Sequence, residues 1–152
     1  MLVTEAAELA IGLTPLQLGG EGPLTGELFL LGRLLFGGVF AYNGLNHFLD
    51  AESMVGYAGA NGVPAPGLMI PISGGVLLFG GLGIAAGVLP TLAAGALIGF
   101  LLVTTPVMHD FWAVPEEQQQ GELINFLKNV AMTGAALALL AISTTAWPYA
   151  LA

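Results

Sequence analysis

Four apolar runs, each about as long as a bilayer is thick, constrain this chain more than any other feature. They fall at about residues 24–48, 68–89, 91–108 and 123–146. Each has roughly the 17–25 residues a helix needs to cross hydrocarbon. A helix pairs its own backbone groups, so it can cross where no water is available to pair them. Only 8% of the 152 residues are charged, where soluble domains run at about a quarter. Two basic and ten acidic side chains cannot coat a globule of this size in water. The expected fold is therefore all-α: an integral membrane four-helix bundle over residues 24–152, preceded by a short interfacial segment over 1–23.

Composition removes several function classes. There is no Cys, which excludes disulfides, thiol redox chemistry, Fe–S clusters and covalent c-type haem. Two His are too few for a zinc site built from His and Cys alone, and no metal site is expected. A Lys plus Arg total of 2 excludes a nucleic-acid surface. The expected surroundings are instead a lipid bilayer, with a membrane-protein partner or a second copy of the chain. Residues 1–18 lack a basic n-region and a small-residue cleavage site, so they do not read as a signal peptide. Their leucines, with Glu5 and Glu8, suit a short interfacial helix. The formal charge of −8 sits almost wholly outside the apolar runs. Such acidic loops suit a halophile, since high salt screens their mutual repulsion.

Four spans put both termini and the short Pro90 turn on one side, and residues 49–67 and 110–122 on the other. The two basic residues, Arg33 and Lys128, fall one near each side, so charge does not orient the chain. Glycines abound at 23, and in lipid they let helices approach closely. The pairs Gly83/Gly87 and Gly95/Gly99 suggest contact between spans two and three. Trp112 and Trp147 near span ends suit aromatic belts.

Polar groups within a span are costly unless paired, so each is a candidate site residue. Arg33, Gly37, Phe40, Gly44 and His47 share one helical face. Asn43 precedes His47 by four residues and Asp50 follows it by three. His109 closes span three, where Pro106 frees the Leu102 carbonyl for Thr105 or water. Asn125, Lys128 and Asn129 open span four beside Glu122. The topology gathers His47, Asp50, His109, Asp110, Asn125, Lys128 and Asn129 at one membrane face and at one depth. Arg33, about 21 Å along the helix from His47, belongs near the opposite face, with Glu27 as a partner.

The residues admit alternatives. Lys128 and Arg33 either snorkel and anchor helix ends or serve a site. The Asn side chains either bond between helices or line a pocket. The two His are interfacial and hydrogen-bonded, hold a haem axially between two helices, or exchange protons with a ligand. The reading that uses the whole cluster is a pocket for a quinone headgroup, with His47, Asp50, His109 and Lys128 as proton-handling residues. Asn43, Asn125 and Asn129 would join His47, His109 and Lys128 in binding it. Quinone is then the expected cofactor, with haem as the lesser alternative.

Three segments in order resemble the DoxX family of small four-helix membrane proteins: "LGRLLFGGVFAYNGLNHF", "GYAGANGVPAPGLM" and "NFLKNVAMTGAALALL". The resemblance spans about residues 28–142. Its most specific pieces are the Gly62–Pro66 turn and Asn125–Asn129, within which Phe126, Lys128 and Asn129 are informative. Arg33 and His109 with Trp112 also fit. The resemblance implies a DoxX-like fold in a multi-pass protein of the prokaryotic plasma membrane. It also implies a role as a small subunit in quinone-linked oxidation, as in a terminal quinol oxidase or a thiosulfate:quinone oxidoreductase. One departure stands in span two, where the family pattern has an acid before glycine and this chain has Ser73-Gly74-Gly75. Without Cys, persulfide chemistry on the chain itself is excluded. A non-catalytic packing or assembly subunit of a larger complex is the alternative expectation.

Overall fold

The computed structural model describes residues 22–152, so the expected interfacial helix lies outside the described residues. Five helices follow in order: α1 Thr25–Leu49, α2 Ala51–Ala60, α3 Pro66–Ala86, α4 Pro90–Met108 and α5 Glu116–Ala141. All except α2 are long and apolar enough to cross a membrane. The four expected spans are present, and the chain is a multi-pass membrane protein.

Two segments differ from the expectation. Residues 49–67 are not a plain loop, because they contain α2. Its Ala58 is buried and α2 packs on α3 and α1, so tertiary contact orders a segment whose periodicity is weak. The fourth helix starts at Glu116, seven residues before the apolar run does. Pro115 precedes the helix, and Glu116 and Glu117 occupy its first turn, where carboxylates meet the positive end of the helix dipole. Chemistry at the terminus, rather than hydropathy, sets that boundary.

The most extensive packing is between α1 and α3; α3 then meets α4, and α4 meets α5. The face foreseen for α1 is the one it buries: Arg33, Gly37, Phe40 and Gly44. A Cβ on Gly44 would fall 2.7 Å from the Gly74 carbonyl oxygen, and one on Gly81 would fall 2.5 Å from that of Gly37. The α1–α3 contact is thus backbone on backbone, which only glycine allows. Between α3 and α4, Gly80 and Gly83 receive Leu97 and Ala93. Gly95 and Gly99 touch nothing within 4 Å, so that expected pair takes no part in the α3–α4 contact. Phe40, Leu77, Ile84, Ala94, Leu97 and Leu101 form the core, and Met132, Leu139 and Leu140 of α5 pack against it.

One end of the bundle is plugged. Trp147, 7% exposed, meets Phe29 edge-on with centroids 5.1 Å apart, so it is no lipid-belt residue. Pro148 and Tyr149 lie over Gly26, and Ala150 lies over Gly87. The Leu151 amide donates to the Ala86 carbonyl. Gly87, at φ 71°, ends α3 in the left-handed region, which a side chain would strain.

Candidate functional site

The opposite end carries the expected polar residues, and the helix contacts set their levels. Gly44 and Gly74 meet, and a Cβ on Gly74 would meet that of His47. Gly80 lies between Ala93 and Leu97, which puts Gly74 near Leu102. On α5, His109 is level with Glu122 and Thr91 with Ser143. His47 therefore stands near the level of Asn129, whereas His109 stands seven residues nearer the membrane face, about 10 Å at 1.5 Å per residue. The expected single depth becomes two tiers, because α1 ends two residues after His47, whereas α4 continues about a turn beyond the level of that end before His109.

In the outer tier, His109 follows α4 and its Nδ1–H donates to Glu122 Oε2 at 2.8 Å. The side chains are 21% and 25% exposed, so the pair is partly shielded from water. Asp110 is half-buried beside it. Tyr57 of α2 reaches the same tier. Its phenol pKa is raised by burial first, then by the charges of Glu122 and Asp110. Phe111, Trp112 and Phe126 stack edge-on with centroids 5.0–6.0 Å apart and wall the tier. Trp112 is exposed, as an interfacial tryptophan should be.

In the inner tier, the His47 Nδ1–H donates to the Asn43 carbonyl at 2.8 Å, which leaves Nε2 as the acceptor of the neutral ring. The Asn43 side chain and Asp50 are exposed. Asn125 and Asn129 are half-buried, and the Asn129 carbonyl accepts from Thr133. Lys128 is exposed and forms no ion pair among the described residues. The structure thus brings His109 together with Glu122, Asp110 and Tyr57. It leaves His47 deeper and Lys128 on the outer side of α5. Among the described residues no three His, Asp or Glu converge as metal ligands would.

Two participants escape a reading of the sequence for site residues. Tyr57 carries no signal beyond its residue type. Thr105 is 5% exposed and its hydroxyl has no hydrogen-bond partner, one helical turn below His109. The expectation offered the carbonyl freed by Pro106 to Thr105 or to water. Instead Thr104 bonds its own helix at Phe100, and Thr105 is left unpaired.

Two wide apolar clefts, of about 590 and 570 Å³, lie on the outer faces of α3 and α4 around Leu89, Leu92 and Ala96. They are at the plugged end, away from the polar tiers, and nearly all their surface is hydrocarbon. Acyl chains suit them; polar chemistry does not.

The DoxX family model matches residues 28–110, from the first turn of α1 through the end of α4 to Asp110. The chain belongs to the DoxX family. The match takes in Arg33, His47, the Gly62–Pro66 turn and His109, whereas the Asn125–Asn129 segment of α5 lies beyond it. No curated protein and no solved structure matches this DoxX protein.

Proposed function

We propose that this DoxX protein is a small membrane subunit associated with quinone-linked oxidoreduction, with the headgroup held at the Tyr57–His109 end. The observation that carries the reading is the His109–Glu122 hydrogen bond, partly shielded at the membrane face, one turn above the unpaired Thr105 hydroxyl. A quinone headgroup is a flat apolar ring with two carbonyl acceptors. It needs donors near lipid and a group that can exchange protons. Thr105 is such a donor, the His109 ring donates from Nε2 when it carries both protons, and the bonded His109–Glu122 pair can take up or return a proton. When bound, the quinone would supply the electron acceptance that no side chain here offers. The aromatic wall of Phe111, Trp112 and Phe126 suits the ring face.

The test begins with protein purified in mild detergent at high salt, then solvent-extracted and analysed by mass spectrometry. Near one quinone per chain is expected, with at least a tenfold loss in His109→Ala and Glu122→Gln. Lys128→Ala should matter less, because Lys128 faces outward. Retention unchanged in all three variants overturns the proposal. A reducible haem band in the same sample would replace it with axial ligation by the two His.

A second reading, a packing or assembly subunit, is favoured by α5. Only 6% of its apolar window is buried in the bundle, against 28–33% for the other spans. It predicts an empty protein that is unstable without a larger partner.

A further inference from the structure

Among the described residues Arg33 is the one buried charged side chain, at 1% exposure, and it is short of acceptors. Its Nη2 donates to the Pro148 carbonyl at 2.8 Å. Its Nε and Nη1 have no hydrogen-bond partner. Those two nitrogens carry most of the donors of the guanidinium fork. The expected partner is engaged elsewhere, because Glu27 accepts from the Tyr149 hydroxyl at 2.9 Å. The Phe29 and Trp147 rings, each 5.3 Å from the guanidinium carbon, ease the charge but accept no ordinary hydrogen bond. So does the negative end of the α3 dipole, because Nη1 abuts Gly87. A buried cation with open donors is among the costliest arrangements a fold can hold.

Much of what covers Arg33 comes from one segment. Trp147 and Pro148 lie on the guanidinium, while Tyr149 and Leu151 tie the segment to Glu27 and Ala86. Among the described residues a single neutral carbonyl is the one acceptor that meets a guanidinium with three further N–H groups left open. The site is level with the α3–α4 turn, at the end of the bundle, where bilayer phosphates lie.

We propose that Arg33 is a phosphate-binding site closed by the C-terminal segment, residues 147–151. Lifting that segment presents a guanidinium fork between Phe29 and Gly87, which a phosphate group engages through two parallel N–H donors. The ligand chemistry is a phosphate oxyanion, from a lipid headgroup or from free phosphate. The site is separate from the quinone reading, being at the other end of the bundle.

Trp112→Phe leaves Trp147 as the sole tryptophan and a reporter of the segment. The full chain in detergent would be titrated with phosphatidylglycerol in mixed micelles and, separately, with sodium phosphate, with sodium chloride as the ionic-strength control. A saturable change in Trp147 emission is expected. A change with phosphatidylglycerol alone assigns a lipid, and a change with both assigns any phosphate. Arg33→Lys keeps the charge but loses the fork, and should weaken binding roughly tenfold. Tyr149→Phe removes the tether to Glu27 without touching Arg33, and should tighten binding roughly two- to tenfold. The proposal is overturned if neither probe gives a saturable change, whether Tyr149 is intact or replaced. It is equally overturned if chloride reproduces the change, or if Arg33→Lys binds as tightly as the parent.

Discussion

Gly81→Ala should unlock the α1–α3 contact, and its size follows from the geometry. The new methyl would lie 2.5 Å from the Gly37 carbonyl oxygen and closer still to the Ala41 amide nitrogen. Ordinary contact begins at 3.4 Å, so the helices must part by about 1 Å, and both obstacles are backbone that no rotamer change can move. A gap of that order forfeits about a quarter to a half of each dispersion contact along the seam, and overpacking of this kind costs about 1–3 kcal/mol. The better helix propensity of Ala returns at most about 1 kcal/mol. Gly38→Ala is the internal control, because nothing lies within 4 Å of that position and only the propensity gain remains. The two variants should therefore differ by about 2 kcal/mol, roughly thirtyfold in the unfolding equilibrium. Unfolding by SDS titration in mixed micelles, followed by tryptophan emission, reads that difference. The double variant with Gly37→Ala should be less than additive, since helices already parted admit a second methyl cheaply. Equal midpoints for Gly81→Ala and Gly38→Ala would refute the backbone-on-backbone seam.

Three further outcomes are expected. Thr105→Val removes a buried hydroxyl that pairs with nothing, so the same SDS titration should show stability unchanged or raised by about 1 kcal/mol, while quinone recovered by extraction falls. The Tyr57 phenol is raised above 10.0 by burial, Glu122 and Asp110; its stabilising contribution is whole below pH 10 and is lost as pH climbs from there through the folded value. Glu122→Gln with Asp110→Asn should lower that titration, read as tyrosinate absorbance against a Tyr57→Phe blank, and no movement would deny the proximity. Lowering salt should lower the thermal midpoint, since the exposed Asp50, Glu52, Glu116 and Glu117 repel one another once unscreened, and a salt-independent midpoint would remove the halophile reading.

Hydropathy makes the spans legible because lipid demands long, self-paired apolar helices, and little else meets that demand. The buried face of α1 is legible for a related reason: Arg33, Gly37, Phe40 and Gly44 recur at helical spacing beside residues that lipid tolerates. What periodicity does not convey is contact between elements. Gly95 and Gly99 have the same spacing as a packing pair, yet they face outward, because α3 meets α4 along Ala93 and Leu97 instead. The site is half legible. Topology brings His109 to the same end as His47, but its partnership with Glu122 depends on the α4–α5 register, and the approach of Tyr57 depends on α2, a short helix whose pattern is too weak to read. The depth of His47 differs from expectation because span ends taken from hydropathy do not convey how far α4 runs past the end of α1. The plug formed by Trp147 and Pro148 gives no sign in sequence, since a tryptophan near a span end ordinarily marks the lipid interface.

One helix, α1, connects the two ends of the bundle. Arg33 and His47 lie on the same face of α1, and between them Gly37 and Gly44 seat that helix against the backbone of α3. Close-packed contacts of this kind shift between discrete registers rather than sliding smoothly. A change of register along the seam would move His47 against Gly74 and Arg33 against Gly87 together. Loosening the seam with Gly44→Ala should therefore alter two remote signals at once: quinone recovered from the Tyr57–His109 end, and Trp147 emission at the plugged end. If Gly44→Ala, folded by circular dichroism, changes one signal and leaves the other untouched, α1 is not the rigid link between them. The ends would then be independent sites that share a helix only by descent of the chain.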